Sequence, residues 1–274
     1  MSTVDVLFEE SWNKEAKLEY TQMESLLKGK ITEHRGPQKT HNFQLFTPTV
    51  AKTSKARHAE VEISAQDATL IPATVGLIYE AQMIDDWDAA QNSFDYRNVI
   101  TKNVTAAVWK KYDDKIITAL AASTSGETTL PTGNTFNYAA ASKMAEVLDT
   151  QDVPMGDRFG LISAPAMRQL QNDSVYINNF HFKNEVVKTG IARDVAGFDL
   201  IKTNRLGNGA AGNTERRCYF WHKDAVGMHI AQDFKIKIDW VPTRQGYLFT
   251  ASMLVGTVII DNKGVQYCDV ANAN

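Results

Sequence analysis

Apolar residues step along Leu7–Leu27 at intervals of three and four. Trp12, Ala16, Tyr20, Met23 and Leu27 share one face, and this spacing predicts an amphipathic helix. Glu9, Glu10 and Glu15 lie early and Lys28 and Lys30 late, as a helix dipole favours. The stretch GKITEHRGPQKTHN then breaks the pattern. It is polar, carries Gly36-Pro37, and reads as an exposed connection.

From Phe43 to Tyr79 the texture is extended. HAEVEIS alternates, with Ala59, Val61 and Ile63 on one face and Glu60, Glu62 and Ser64 on the other. TPTVAKTSK and ATLIPATVGLIY add to a picture of long β-ribbons. A two-stranded ribbon has almost no core of its own and is marginal in water unless it lies against something else.

Phe94–Ala122 carries the strongest helical stripe. Ile100, Val104, Val108, Tyr112, Ile116 and Leu120 step by four, and Val99, Ala107 and Ile117 widen the stripe. Asp95 is a candidate N-cap. Roughly 25 residues at about 1.5 Å each make a rod of about 38 Å.

An α/β texture follows. YAAASKMAEVLDTQ reads as a helix and RFGLIS as a short buried strand. APAMRQLQND reads as a helix with Pro165 in its first turn. DLIKT and CYFWH read as strands, and KDAVGMHIAQ as a short helix. In the tail, Phe234, Ile236, Ile238 and Trp240 alternate along a strand. YLFTASMLVGTVII is a long apolar strand, and after the turn DNKG the segment VQYCDV pairs back. There is no internal repeat.

The length of 274 residues allows one large domain or two modest ones. A net charge of -3 gives no bulk basic footprint for nucleic acid. The charge is uneven, however. Lys28, Lys30, Arg35, Lys39, Lys52, Lys55 and Arg57 are opposed within their stretch by Glu33 alone. Glu80, Asp85, Asp86, Asp88 and Asp95 form a block without a base. Such blocks are either solvated faces or surfaces that mate across a subunit boundary. Cys218 and Cys268 lie far apart in sequence, so no disulfide framework or zinc site is expected, and a reducing compartment is the default. No run of apolar residues is long enough for a membrane-spanning helix, and MSTVDVLFEESWNKEAK lacks a signal core. These features read as an intracellular soluble protein.

The one chemical motif is Gly207-Asn208-Gly209-Ala210-Ala211-Gly212, which fits the glycine pattern of a dinucleotide turn. In such a site the third glycine opens a helix that holds the pyrophosphate. Here NTERRCYFW follows, a polar tip leading into a strand. The context argues for a loop between two strands.

None of His34, His41, His58, His181, His222 and His229 sits in a metal-binding or triad spacing. Asp113-Asp114 and Asp85-Asp86 are adjacent pairs; neighbours on a helix do not face each other, so Asp113 and Asp114 read as solvent and salt-bridge residues rather than an acid/base pair. RRCYFWHK has the composition of a nucleic-acid surface and equally of ordinary core strand. No catalytic, cofactor-binding or metal residue is assigned.

The order of arm, ribbon, long helix, α/β block and returning strands resembles the major capsid proteins of tailed bacteriophages, which share the Hong Kong 97-type fold. DRFGLISAPAMRQLQND resembles that family's strand-then-helix segment. KTGIARDVAGFDLIKTNRL resembles its glycine-punctuated run into a strand. DAVGMHIAQDFKIKIDW and GYLFTASMLVGTVIIDNKG resemble its closing strands.

The resemblance implies an α+β fold: an N-terminal arm (1–40), an extended β-hairpin E-loop (41–93), a P-domain of spine helix and closing sheet (94–136 and 234–274), and an α/β A-domain (137–233). It implies a coat protein whose copies form hexamers and pentamers of an icosahedral head, with the E-loop lying over a neighbouring subunit. The implied partners are the chain itself, separate scaffolding and portal proteins, decoration proteins, and packaged double-stranded DNA touched non-specifically. No membrane and no cofactor is implied. The implied location is the virion head, assembled in the host bacterial cytoplasm.

The resemblance places the glycine loop at the A-domain tip near the capsomer axis, with Glu215, Arg216 and Arg217 as candidates for pairing between neighbours. Some members cross-link through a Lys–Asn isopeptide bond. Asn262 sits in a turn and Lys39, Lys52 and Lys55 near the ribbon, but no motif carries the roles over. The rivals are an encapsulin compartment of the same fold, an α/β enzyme using the glycine loop, and another phage structural component of tail or decoration type.

Overall fold

In the computed structural model, residues 21–87, 96–177 and 195–272 are described, apart from Ser54, Ala56, Ala59, Glu62 and Thr132. Strands β1 (Thr32–Arg35), β2 (Thr40–Phe46), β3 (Ala68–Thr74) and β4 (Gly76–Asp85) precede the long helix α1 (Tyr96–Ala121). Then come α2 (Tyr138–Thr150), β5 (Arg158–Ile162), α3 (Ala164–Gln171) and the one-turn α4 (Ser174–Ile177). The chain continues through β6 (Phe198–Lys202), β7 (Asn208–Gly209), β8 (Gly212–His222), β9 (Val226–Val241), β10 (Gly246–Ile259) and β11 (Val265–Ala271). The mixed α+β expectation and the predicted long helix are both met.

These residues fall into two units. The smaller takes in residues 21–25 with Leu77–Tyr112 and Asp233–Met253, the larger Leu26–Gly76, Asp113–Gln232 and Leu254–Asn274. In the smaller unit, Ile100, Val104 and Val108 of α1 are buried, as are Ile84 and Phe249. Trp109 stacks on Phe234, and the Arg97 guanidinium sits over the Tyr247 ring at 4.4 Å.

The larger unit holds a sheet of order β11-β8-β5-β6, with β7 on the β8 edge. β5 and β6 are parallel, while β8 runs antiparallel to both β5 and β11. β5 is buried at every position; Phe159–Ile162 are the apolar run of a strand covered on both faces, and the buried Arg158 is satisfied by the Pro154 carbonyl and the Asp149 carboxylate. Phe220 of β8 lies between Phe136 and Phe198, at centroid distances of 5.8 and 5.1 Å. Gly160 makes this packing fit: a Cβ there would lie 2.6 Å from Leu200 and 2.8 Å from Phe220. α2 and α3 are capped by side chains that the sequence supplies. Asn137 accepts from the Ala140 N–H at 2.9 Å and Ser163 from the Ala166 N–H at 3.2 Å. Each such cap contributes about 1 kcal/mol.

Several expectations are corrected. Residues 1–20 lie outside the described region, and Met23–Leu27 is not helical. The N–H groups of Leu26 and Leu27 instead donate to the Asp113 carboxylate at 3.1 and 3.4 Å, a long-range contact that replaces the helical ladder. Asp113 is therefore buried rather than solvated. Asp114 does form the expected ion pair, with Arg205 at 2.5 Å.

The polar connection holds β1, which pairs parallel with β9 from Thr32↔Gly227 to Arg35↔Ile230. HAEVEIS forms no strand among its described residues. Val61 and Ile63 are 71% and 93% exposed, so alternation there meets no surface that would reward it. Only Lys223–Ala225 of KDAVGMHIAQ is helical, as a single tight turn, and β9 starts at Val226. VQYCDV pairs with β8 and not with the preceding strand. It is buried along nearly its whole length, which suits the α/β sheet better than an exposed hairpin. Asp95 and His181 lie outside the described residues.

Candidate functional site

The glycine loop is the tip of a β-hairpin. Asn208 pairs with Arg216 and Gly209 with Gly212, with an irregular register between them. Gly212 has φ +76°, the left-handed geometry that a tight turn takes from glycine. At Gly209 the constraint is steric: a Cβ would lie 2.8 Å from Glu215 Cβ and 2.9 Å from Asp269 Cγ. Strand β8 follows the tip, where a dinucleotide site would need a helix.

The amides that a phosphate would use are already committed. The Ala210 N–H donates to Asp269 Oδ2 at 2.6 Å, and the Ala211 N–H donates to Glu215 Oε2 at 3.0 Å. Two carboxylates thus occupy the cradle, and a phosphate entering it would meet like charge. Glu215 also accepts from the Asn134 side chain. Arg217 grips Asp269 with two bonds, Nε to Oδ1 at 2.9 Å and Nη2 to Oδ2 at 3.0 Å, and lies over the Tyr267 ring at 4.3 Å. Burial acts to raise the Asp269 pKa, but the paired guanidinium and the Ala210 N–H outweigh it, so the carboxyl sits below its ordinary value. Arg216 donates to the Asn208 side chain. Glu215, Arg216 and Arg217 therefore all have partners within the hairpin's own chain.

The other candidates resolve similarly. Tyr219, Phe220 and Trp221 of RRCYFWHK are core, and the Trp221 indole donates to the Lys30 carbonyl at 3.0 Å. Asn262 Oδ1 accepts from the Thr124 N–H at 3.1 Å and so caps a loop.

Cys218 and Cys268 stand directly opposite each other on β8 and β11, both buried and both free thiols. Burial pushes the Cys218 thiol up to about 12 and Cys268 well above the ordinary thiol range. Their distance in sequence hides this adjacency.

The sequence reading also missed a histidine cluster. His34 and His229 are register partners on β1 and β9. Their Nδ1 atoms lie 3.3 Å apart, and His41 of β2 stacks on His34 at 3.6 Å. His229 Nε2 lies 2.8 Å from the Gln38 carbonyl, an acceptor only, so this ring nitrogen is the donor. Burial first, then the charges of His34 and His229, hold His41 below its ordinary value. No group of metal-ligating residues forms among the described residues, and no described helix is long and apolar enough to cross a membrane.

What remains on the surface is apolar side chain without cover. Phe46, Val50, Val61, Ile63 and Leu70 are exposed on the ribbon of β2 and β3 and the segment joining them. β2 and β3 pair from Thr40↔Thr74 to Phe46↔Ala68.

Comparison with known proteins gives a consistent result. No curated protein matches the chain. Among solved structures, the capsid of the cyanophage P-SCSP1u is similar with TM-score 0.78 and 17% identity, over 97% of this chain and 94% of that one. A structure from Mycobacterium phage Che8 gives TM-score 0.76 and 14% identity, over 97% and 98%. The head structure of the Helicobacter pylori bacteriophage KHP40 gives TM-score 0.77 and 9% identity, over 96% of each chain. The fold is that of phage capsids, Hong Kong 97-like. A family model described as phage capsid protein matches residues 4–270. Nearly the whole chain is thus accounted for as a shell-building structural protein rather than an enzyme, and it belongs to the phage capsid protein family as a major capsid protein of the phage head.

Proposed function

We propose that copies of this chain form hexamers and pentamers that close an icosahedral head around double-stranded DNA. In this reading residues 1–40 act as an arm, 41–93 as an E-loop laid over a neighbour, 94–136 and 234–274 as the P-domain, and 137–233 as the A-domain. The observation that carries it is the ribbon. Val61 and Ile63, at 71% and 93% exposed, belong to a segment with no core of its own, and such surface is covered in the functional state of a soluble assembly. Scaffolding, portal and decoration proteins act as separate partners, and assembly takes place in the host cytoplasm. Negative-stain microscopy of the purified chain tests the reading. Closed shells or rings of five and six subunits are expected, and a monodisperse population of small particles at assembly concentrations refutes it.

A further inference from the structure

A groove of about 1190 Å³ lies within the larger unit. Its lining carries five cationic side chains against two carboxylates. One cation, Lys30, is held by Asp199 at 2.7 Å, and another, Arg158, by Asp149 at 2.6 Å. Lys28, Lys202 and Lys223 complete the cationic set, and Asp157 is the other carboxylate. The apolar part of the lining includes Leu26 and Met155, both exposed, the latter 77%. A basic groove with an uncovered apolar lining calls for an acidic segment that carries a large apolar anchor.

A segment of that kind follows β4. β4 ends at Asp85, and Asp85-Asp86-Trp87 follows with all three residues exposed. Trp87 is 71% exposed, an unusual position for the side chain that most often anchors interfaces. Resting on the shell reading above, we infer that Asp85-Asp86-Trp87 of one copy docks in this groove of a second copy. The indole covers Leu26 and Met155, and the two carboxylates face Lys202 and Lys223. The patch and its receptor are different surfaces, so the contact is heterologous and propagates around a ring. The opposed charges set register, and the indole supplies most of the affinity.

The test uses the full-length chain assembled into particles, with cysteines introduced at exposed positions. Trp87→Cys combined with Met155→Cys, oxidised in the particle, is expected to give a ladder of covalent multimers on a non-reducing gel, and either single variant only monomer. Lys202→Glu with Lys223→Glu is expected to raise the concentration needed for assembly at least tenfold, and adding Asp85→Lys with Asp86→Lys to restore it. Circular dichroism melts of the dissociated subunits confirm that the variants fold.

Particles that give no ladder overturn the inference. So does a disulfide closed within one chain between the two introduced thiols of that double variant. The same holds for one closed within a chain carrying Trp12→Cys and Met155→Cys, which would seat the chain's own arm in the groove. A charge reversal without effect on assembly overturns it as well. An unsubstituted chain that forms no particle refutes the shell reading and the docking together, whereas particles without a ladder refute the docking alone.

Discussion

Replacing Arg217 by Met is the most informative single perturbation of the hairpin. The Asp269 side chain is 1% exposed and Arg217 27%. The substitution removes two charge-assisted bonds of 2.9 and 3.0 Å and the stacking on Tyr267. Asp269 then keeps the Ala210 N–H as a donor. Removing one partner of a buried pair costs about 3–5 kcal/mol, and partial solvent access to Arg217 lowers that toward about 2–3 kcal/mol. Lost cation–π attraction adds about 0.5–1 kcal/mol.

A total of about 3 kcal/mol corresponds to a fall in Tm of about 6–12 °C for a unit of this size. The assay is thermal unfolding of dissociated subunits by circular dichroism at neutral pH under reducing conditions. Arg217→Met with Asp269→Leu removes both charges, so the double variant should be more stable than the sum of the single effects, by about 1.5 kcal/mol or more. A shift under about 1 °C for Arg217→Met, or simple additivity in the double variant, would refute the claim that this pair holds the hairpin.

Gly209→Val should destabilise by about 1–3 kcal/mol because its Cβ meets Glu215 and Asp269 below 3.0 Å. Gly212→Ala, with open space and φ +76°, should cost only about 1 kcal/mol; equal urea midpoints for the two variants would contradict this ranking. His41 is held below its ordinary value of 6.5, so the folded state binds fewer protons there than the unfolded chain. Stability from this site is full above about pH 6.5 and is lost as pH falls through the lowered value. His41→Gln should flatten that part of the Tm profile, and an unchanged profile would exclude His41 as its source. Millimolar ATP or NAD should leave the Tm unchanged, since a ligand of the native state alone must raise it; a rise that Gly209→Val abolishes would restore the nucleotide reading.

Elements with a strong local period were legible in the sequence. The four-residue steps from Ile100 to Leu120 predict α1 to within two residues at either end. Asn137 and Ser163 cap the helices that the apolar pattern predicts. The glycine motif reads as a loop between strands, and strand β8, not a helix, follows it.

What was not legible depends on partners distant in sequence. Met23–Leu27 has helical spacing, but Asp113 claims the Leu26 and Leu27 amides from 87 and 86 residues away. Alternation in HAEVEIS states what a strand there would need, and the described residues of one chain offer no such surface. The intrachain partners of the polar tip Glu215–Arg217, Asn134 and Asp269, lie 81 and 52 residues away from Glu215 and Arg217 and carry no local signal. The histidine cluster unites β1, β2 and β9, which no local spacing could join.

The place of β11 also sets a timetable for synthesis. β8 ends at His222, whereas the strand that covers its outer side begins at Val265. At about 5–20 residues per second, roughly 2–9 s separate the two during translation. Throughout that interval β8 presents a bare edge to the ribosome's surroundings, and the hairpin lacks the Asp269 carboxylate that locks it. Each nascent chain therefore passes through a stage in which a sticky strand edge precedes a finished subunit, and the last residues of the sheet act as the release step that makes the subunit safe to accumulate.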